Sequence, residues 1–211
     1  ELAELGQRAL AATDLPALFE EVCRVVTYTL AAEFCEVLQL LPEGSALRLV
    51  DGQGWQPDRV GVDVVAGGAE SMAGFTLLAD EPVVVEDLAH DTRFHPPALL
   101  VEHGVVSGVT AIIRGEGRPW GVLGVFSDRP RQFGRDDANF LQSASNVVAE
   151  AIVRNRAEAE LRVAHAQTVA ILESVAEGVT VQGPEGNLVF ANDTAARLLG
   201  YDTAEALLAA A

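Results

Sequence analysis

The chain has 211 residues, 49% of them apolar, and a formal charge of -17, which suffices for one full domain and part of a second. All fourteen basic residues are arginine, so a Schiff base, a lysine general base and a phosphate-loop lysine are excluded. A surface this acidic repels nucleic-acid backbones and anionic lipids, no apolar run approaches the ~20 residues that cross a bilayer, and residues 1–30 lack the basic start and apolar core of a signal peptide; the expectation is a cytoplasmic location, with neither nucleic-acid nor membrane contact in this segment.

Thr13 or Asp14 can cap a helix with Pro16 in its first turn, and Leu15, Leu18, Phe19, Val22, Val25 and Val26 recur at helical spacing over residues 14–31. Phe34 to Leu41 reads as a strand, joined through Pro42-Glu43-Gly44-Ser45 to a second, Ala46 to Val50. The glycine-rich run DGQGWQPDRVGVDVVAGGAESMAG, residues 51–74, holds Trp55 but neither a GxGxxG nor a phosphate-loop pattern. A short helix is expected over Ser71 to Ala79 and a short buried strand over Pro82 to Glu86. Pro96-Pro97 then opens a helix through Leu99, Leu100 and Val101 that Gly104 ends. Two further strands follow, Gly108 to Arg114 and Trp120 to Ser127.

From Asp136 the pattern stays helical for about forty residues, far beyond a mean helix. Phe140, Leu141, Ala144, Val147, Val148, Ala151 and Ile152 make a broad apolar face. After Arg154 it narrows to Ala157, Leu161, Ala164, Thr168, Ile171 and Val175, a weak coiled-coil seam, until Gly178 stops the helix. A hairpin of Val179 to Gln182 and Leu188 to Ala191 and a helix over Thr194 to Leu199 complete the elements.

Three of the four histidines, His90, His95 and His103, lie in EDLAHDTRFHPPALLVEHGVVSG, residues 86–108. No two share the i, i+4 face a zinc helix uses, so no metal site is expected. Cys23 and Cys35 have no histidine near them in sequence, Ser71, Ser107 and Ser127 lack a nucleophile-elbow surround, and Asp136-Asp137 suit a helix start. The segment therefore reads as non-catalytic. Both cysteines read as reduced, buried thiols.

The phrases VVVEDLAHDTRF, HGVVSGV and WGVLGVFSDRPRQFGRDDANFLQSASNVVAEAI resemble the second half of bacterial GAF sensor domains, and ILESVAEGVTVQGPEGNLVFANDTAARLLGY, with Asn192, resembles the opening of a PAS domain. The resemblance implies an α+β fold: a GAF-like antiparallel sheet flanked by helices, a long C-terminal signalling helix, then an incomplete PAS-like unit. The divisions expected are a GAF sensor domain over 1–153, a helical coiled-coil linker over 154–177 and the N-terminal part of a PAS domain over 178–211. It implies a sensor segment of a modular bacterial signalling or two-component protein, ending elsewhere in a histidine kinase, diguanylate cyclase or phosphatase.

On a GAF template an unidentified small-molecule ligand would meet Trp55, Phe75, His90, Phe94, His95, Leu99, Leu100 and Ser107. Two chains would pair as a homodimer along residues 132–177, with Leu141, Val148, Leu161, Ala164, Ile171 and Val175 on the signalling helix. The cofactor stays unknown. Cyclic-nucleotide-binding members carry an N-K-F-D-E set, of which only Phe133 and Asp136-Asp137 have counterparts here; with no cysteine from residue 36 onward, covalent bilin attachment near His95 is excluded, and non-covalent haem on one of the three histidines stays open. The alternatives are a ligand-free interaction module and a thiol redox sensor acting through Cys23 or Cys35.

Overall fold

The computed structural model describes Gly6, residues 14–79 and residues 81–211. It divides into two compact units, Glu1–Asn155 and Arg156–Ala211.

In the first unit α1 (Leu15–Thr29) presents Leu18, Phe19, Val22, Cys23 and Val26 on one buried face. Pro16 stands in its first turn, as its fixed φ favours. Asp14 occupies the N-cap position but its side chain makes no capping hydrogen bond, and Thr13, the other expected cap, lies outside the described residues. The strands are β1 (Phe34–Leu40), β2 (Ala46–Gln53), β3 (Val64–Ala66), β4 (Val83–Val85), β5 (Ser107–Ile113) and β6 (Gly121–Ser127), with α2 (Met72–Ala79) and α3 (Ala98–Glu102) between them. They form one sheet in the order β3-β2-β1-β6-β5-β4, every pairing antiparallel.

Two strands of this unit differ from the sequence expectation. β2 runs on from Val50 to Gln53, because β1 still offers partners past a register shift at Val37/Leu38, with Glu36 opposite Gly52 and Cys35 opposite Gln53. β3 is formed by three residues of the glycine-rich run, opposite Ala46, Leu47 and Arg48.

Alternation along the strands sends neighbouring side chains to opposite faces. One face carries Cys35, Val37, Val109, Ala111, Ile113, Leu123 and Val125 and packs against α1 and the first half of α4 (Arg135–Ser174). Leu141, Ala144 and Val148 from α4 are fully buried there. The other face carries Leu38, Leu47, Leu49, Val122 and Phe126 and is covered by α2, α3 and the segment holding Leu88 and Phe94. Gly104 takes a φ of 68° and closes α3, a left-handed conformation that glycine adopts without cost.

In the second unit the later part of α4 is followed by β7 (Thr180–Gln182), β8 (Leu188–Ala191), α5 (Asp193–Leu198) and α6 (Ala204–Ala210). The helix ends at Ser174 rather than at Gly178. The physical reason is Asn192. Its amide donates to the carbonyls of Leu172 at 3.0 Å and Glu177 at 2.9 Å, which turns the chain away from the helix axis. Its oxygen accepts from the backbone N–H of Val179 and of Ala195, both at 2.9 Å, the second capping α5. α6, unexpected from the sequence, is capped by the Thr203 hydroxyl, which accepts from Ala206 N–H at 3.1 Å.

Candidate functional site

A cavity of about 450 Å³ opens between β3, the turn before α2 and the start of α3. The distance in sequence between these parts is closed by backbone: His95 N–H donates to the Glu70 carbonyl at 2.7 Å, a short parallel bridge between Ser71 and His95. Val62, Val64, Val65, Pro96, Pro97 and Leu99 supply apolar wall, and Arg59, Asp63, Glu70, Ser71 and His95 supply polar groups. Arg59 is held by two carboxylates, Asp63 at 3.1 Å and Glu102 on α3. The Ser71 hydroxyl donates to the Ala66 carbonyl and accepts from Gly74 N–H at 3.0 Å, so it stiffens the turn. The Ser71 hydroxyl is thus engaged within its own turn.

Of the residues singled out from the sequence, His95 and Leu99 line the cavity. Leu100 is buried behind it in the apolar layer. Phe75 and Phe94 meet each other with ring centres 5.9 Å apart, and the Arg93 guanidinium lies over both, at 5.7 and 5.5 Å. Asp91 and the Val84 carbonyl, each 2.6 Å from its Nη2, hold that guanidinium. Trp55 belongs to a separate aromatic group: it stacks on Phe34 at 4.8 Å, meets His103 and Phe126 edge-on, and donates from Nε1 to the Cys35 carbonyl at 2.6 Å. His90 is 84% exposed and pairs through Nδ1 with Asp87 at 2.9 Å; this contact holds the Asp87 carboxyl below its ordinary range. Ser107 donates to the Arg129 carbonyl at 2.8 Å and by alternation shares the face of Val109 and Ala111, away from the cavity.

On α4, Leu141 and Val148 are core of the first unit. Leu161 and Ile171 are 70% and 64% exposed, Ala164 is exposed and Val175 is half-buried.

Besides Arg59, Asp63 and Glu70 of the cavity lining, two features away from it escaped the sequence reading. Glu36 is 4% exposed on the cavity-side face of β1, paired with Gly52 on β2 and Gly124 on β6. Burial pushes its carboxyl up to about 8. Beyond Gly124 the same row continues to Thr110, whose hydroxyl bonds that of Thr76 on α2 at 2.6 Å. The signal available was a lone acid in the apolar run FCEVLQL. The second feature is the contact between Cys23 on α1 and Cys35 on β1. Burial first, then a hydrogen bond to Cys23, raises the Cys35 thiol well above its ordinary range, so it stays protonated. Both cysteines are free and buried.

A six-stranded antiparallel sheet with α1 and α4 on one face and short helices on the other defines an α+β module. The chain belongs to the GAF-domain family, whose model matches residues 14–152. A PAS-domain model matches residues 166–210. Among solved structures, the GAF domain of a phosphoenolpyruvate-protein phosphotransferase from Coxiella burnetii is 20% identical, covers 75% of this chain and 94% of its own, and superposes with a TM-score of 0.68. A free methionine-R-sulfoxide reductase from Neisseria meningitidis, solved with its substrate, is 18% identical over 75% of this chain and 89% of its own, TM-score 0.64. A domain of a putative two-component sensor histidine kinase from Sinorhizobium meliloti is 20% identical over 69% and 95%, TM-score 0.56. At these identities the likeness is one of fold. No curated protein matches the chain. Among the described residues no helix is long and apolar enough to cross a membrane, and no cluster of three metal-ligating side chains occurs.

Proposed function

We propose that this chain is the non-catalytic, cytoplasmic sensor segment of a bacterial signalling protein, in which the GAF domain binds a small ligand and a dimeric helix over 154–177 passes the change to an effector such as a histidine kinase, diguanylate cyclase or phosphatase. The observation that carries the reading is the cavity between β3, the turn before α2 and the start of α3, parts distant in sequence that are held alongside by the backbone bridge at His95, the Ser71–Ala66 hydrogen bond and the Asp63–Arg59–Glu102 ion pairs. An occupant there touches the turn that leads into α2 and the start of α3, and both helices lie on the sheet whose far face carries the first half of α4. The relay rests on Leu161, Ala164 and Ile171, apolar and exposed at coiled-coil spacing. A seam this weak lets two helix registers lie within a few kcal/mol, as a ligand-biased switch requires.

A second reading has its own support. Leu38, Phe94, Leu99, Leu100 and Phe126 fill much of the space over the sheet, which suits an interaction module without a ligand. The thiol redox reading has the Cys23–Cys35 contact in its favour and the burial of both thiols against it. A thermal-shift screen of nucleotides, haem, small acids and small amines separates the first two: a saturable rise in Tm supports the sensor, and no stabiliser favours the interaction module.

A further inference from the structure

The lining of the cavity sorts into groups already committed and groups left over. Arg59 faces Asp63 and Glu102, and Ser71 has donated and accepted within its own turn. The polar lining side chains that make no hydrogen bond among the described residues are Glu70 and His95. Glu70 is exposed at the rim, and its carboxylate lies against the backbone of Gly68, where any Cβ would collide with it.

The charge balance points one way. One guanidinium lines the cavity against two carboxylates, and Glu102 adds a third from behind Arg59. An anionic ligand would have to displace Asp63 or Glu102 from Arg59 and would approach a chain of charge -17. A cation is drawn in by the same field and finds Glu70 with a free carboxylate. No Phe, Tyr or Trp lines the cavity, so the aromatic cage that selects quaternary ammonium groups is missing; a primary ammonium, with three N–H donors for Glu70 and for the imidazole of His95, fits better. The valine and proline walls take an apolar body, and about 450 Å³ lies toward the small end of ligand sites.

We propose that the ligand class of this cavity is a small primary amine with a short apolar body, its ammonium group held by Glu70 at the rim beside His95 and its body against Val62–Val65 and Pro96–Leu99. This rests on the ligand-binding reading above. The test uses the full 211-residue chain and three probes of equal body, n-butylamine, n-butyrate and n-butanol, followed by backbone amide NMR shifts. Butylamine gives saturable shifts at Glu70, Ser71 and His95; Glu70→Gln weakens it about tenfold or more, while Glu150→Gln, which removes an exposed acid on α4, leaves it unchanged. Equal or tighter binding of butyrate or butanol at the same amides overturns the amine class and leaves ligand binding standing. An equal loss from Glu150→Gln also overturns it, since the attraction is then diffuse. No saturable shift from any probe overturns the class; the wider reading falls with it only where the chain also carries no bound mass and no stabiliser is found.

Discussion

Two adjacent cross-sheet rows of the GAF domain, one residue apart on each of five strands, show how differently its two faces are used. Gln53, Cys35, Val125, Val109 and Val84 lie side by side on the helix-backed face, and Gly52, Glu36, Gly124, Thr110 and Val83 on the cavity face. Apart from Gln53, whose Oε1 accepts from the Thr27 hydroxyl on α1 at 3.0 Å, the first row is apolar or thiol, packed against two long helices. The second row holds a carboxyl, a hydroxyl and two glycines in its middle. A face meant only for stability has no use for a buried acid, because desolvation opposes its charge. The polar row, the short covering helices and the cavity belong to the same side of the sheet.

The largest test of that contrast is Glu36→Gln. Because the folded-state value is raised from 4.5 to about 8, the wild type loses stability as pH climbs through that window and loses no more above it. At pH 9 the variant is expected to be more stable by about 5 kcal/mol, and at pH 4 by nearly nothing; urea denaturation at the two pH values measures it. Equal differences at both would show that Glu36 is not held neutral by burial. On the other face Leu141→Ala should cost about 3 kcal/mol whatever the pH, the loss expected of a fully buried leucine.

The same comparison extends along α4. Leu161→Ala, on an exposed site, should change the stability of the fold by less than about 0.5 kcal/mol yet shift the chain toward monomer in sedimentation equilibrium; an unchanged association would remove Leu161 from the interface. Between these in size stands Asn192→Ala. It removes four close hydrogen bonds at once and should cost about 2 kcal/mol, confined to the second unit. Hydrogen exchange should then speed up at Val179 and Ala195 while Val109 and Val125 keep their protection.

How far the sequence revealed this depended on how local each cause is. β1, β5, β6 and the forty-residue helix are written in runs long enough to show their period, and their positions follow it. β3 is three residues in a glycine-rich run and exists because β2 offers it an edge. The end of α4 at Ser174 is set by Asn192, eighteen residues further on, so Gly178 was a misleading local sign. His95 and Leu99 could be named from the histidine segment and a GAF resemblance. Arg59, Asp63 and Glu70 could not, because only the Ser71–His95 bridge and the pairing of β3 bring them alongside. The paired position of Glu36 between two glycines is likewise a property of the register.

The measurement that most directly tests the sensor account is a native mass spectrum of the purified chain beside the denatured mass of the same sample. The account predicts a dimer that carries extra non-covalent mass on each chain. A bare monomer at tens of micromolar would contradict both the occupied cavity and the helical relay.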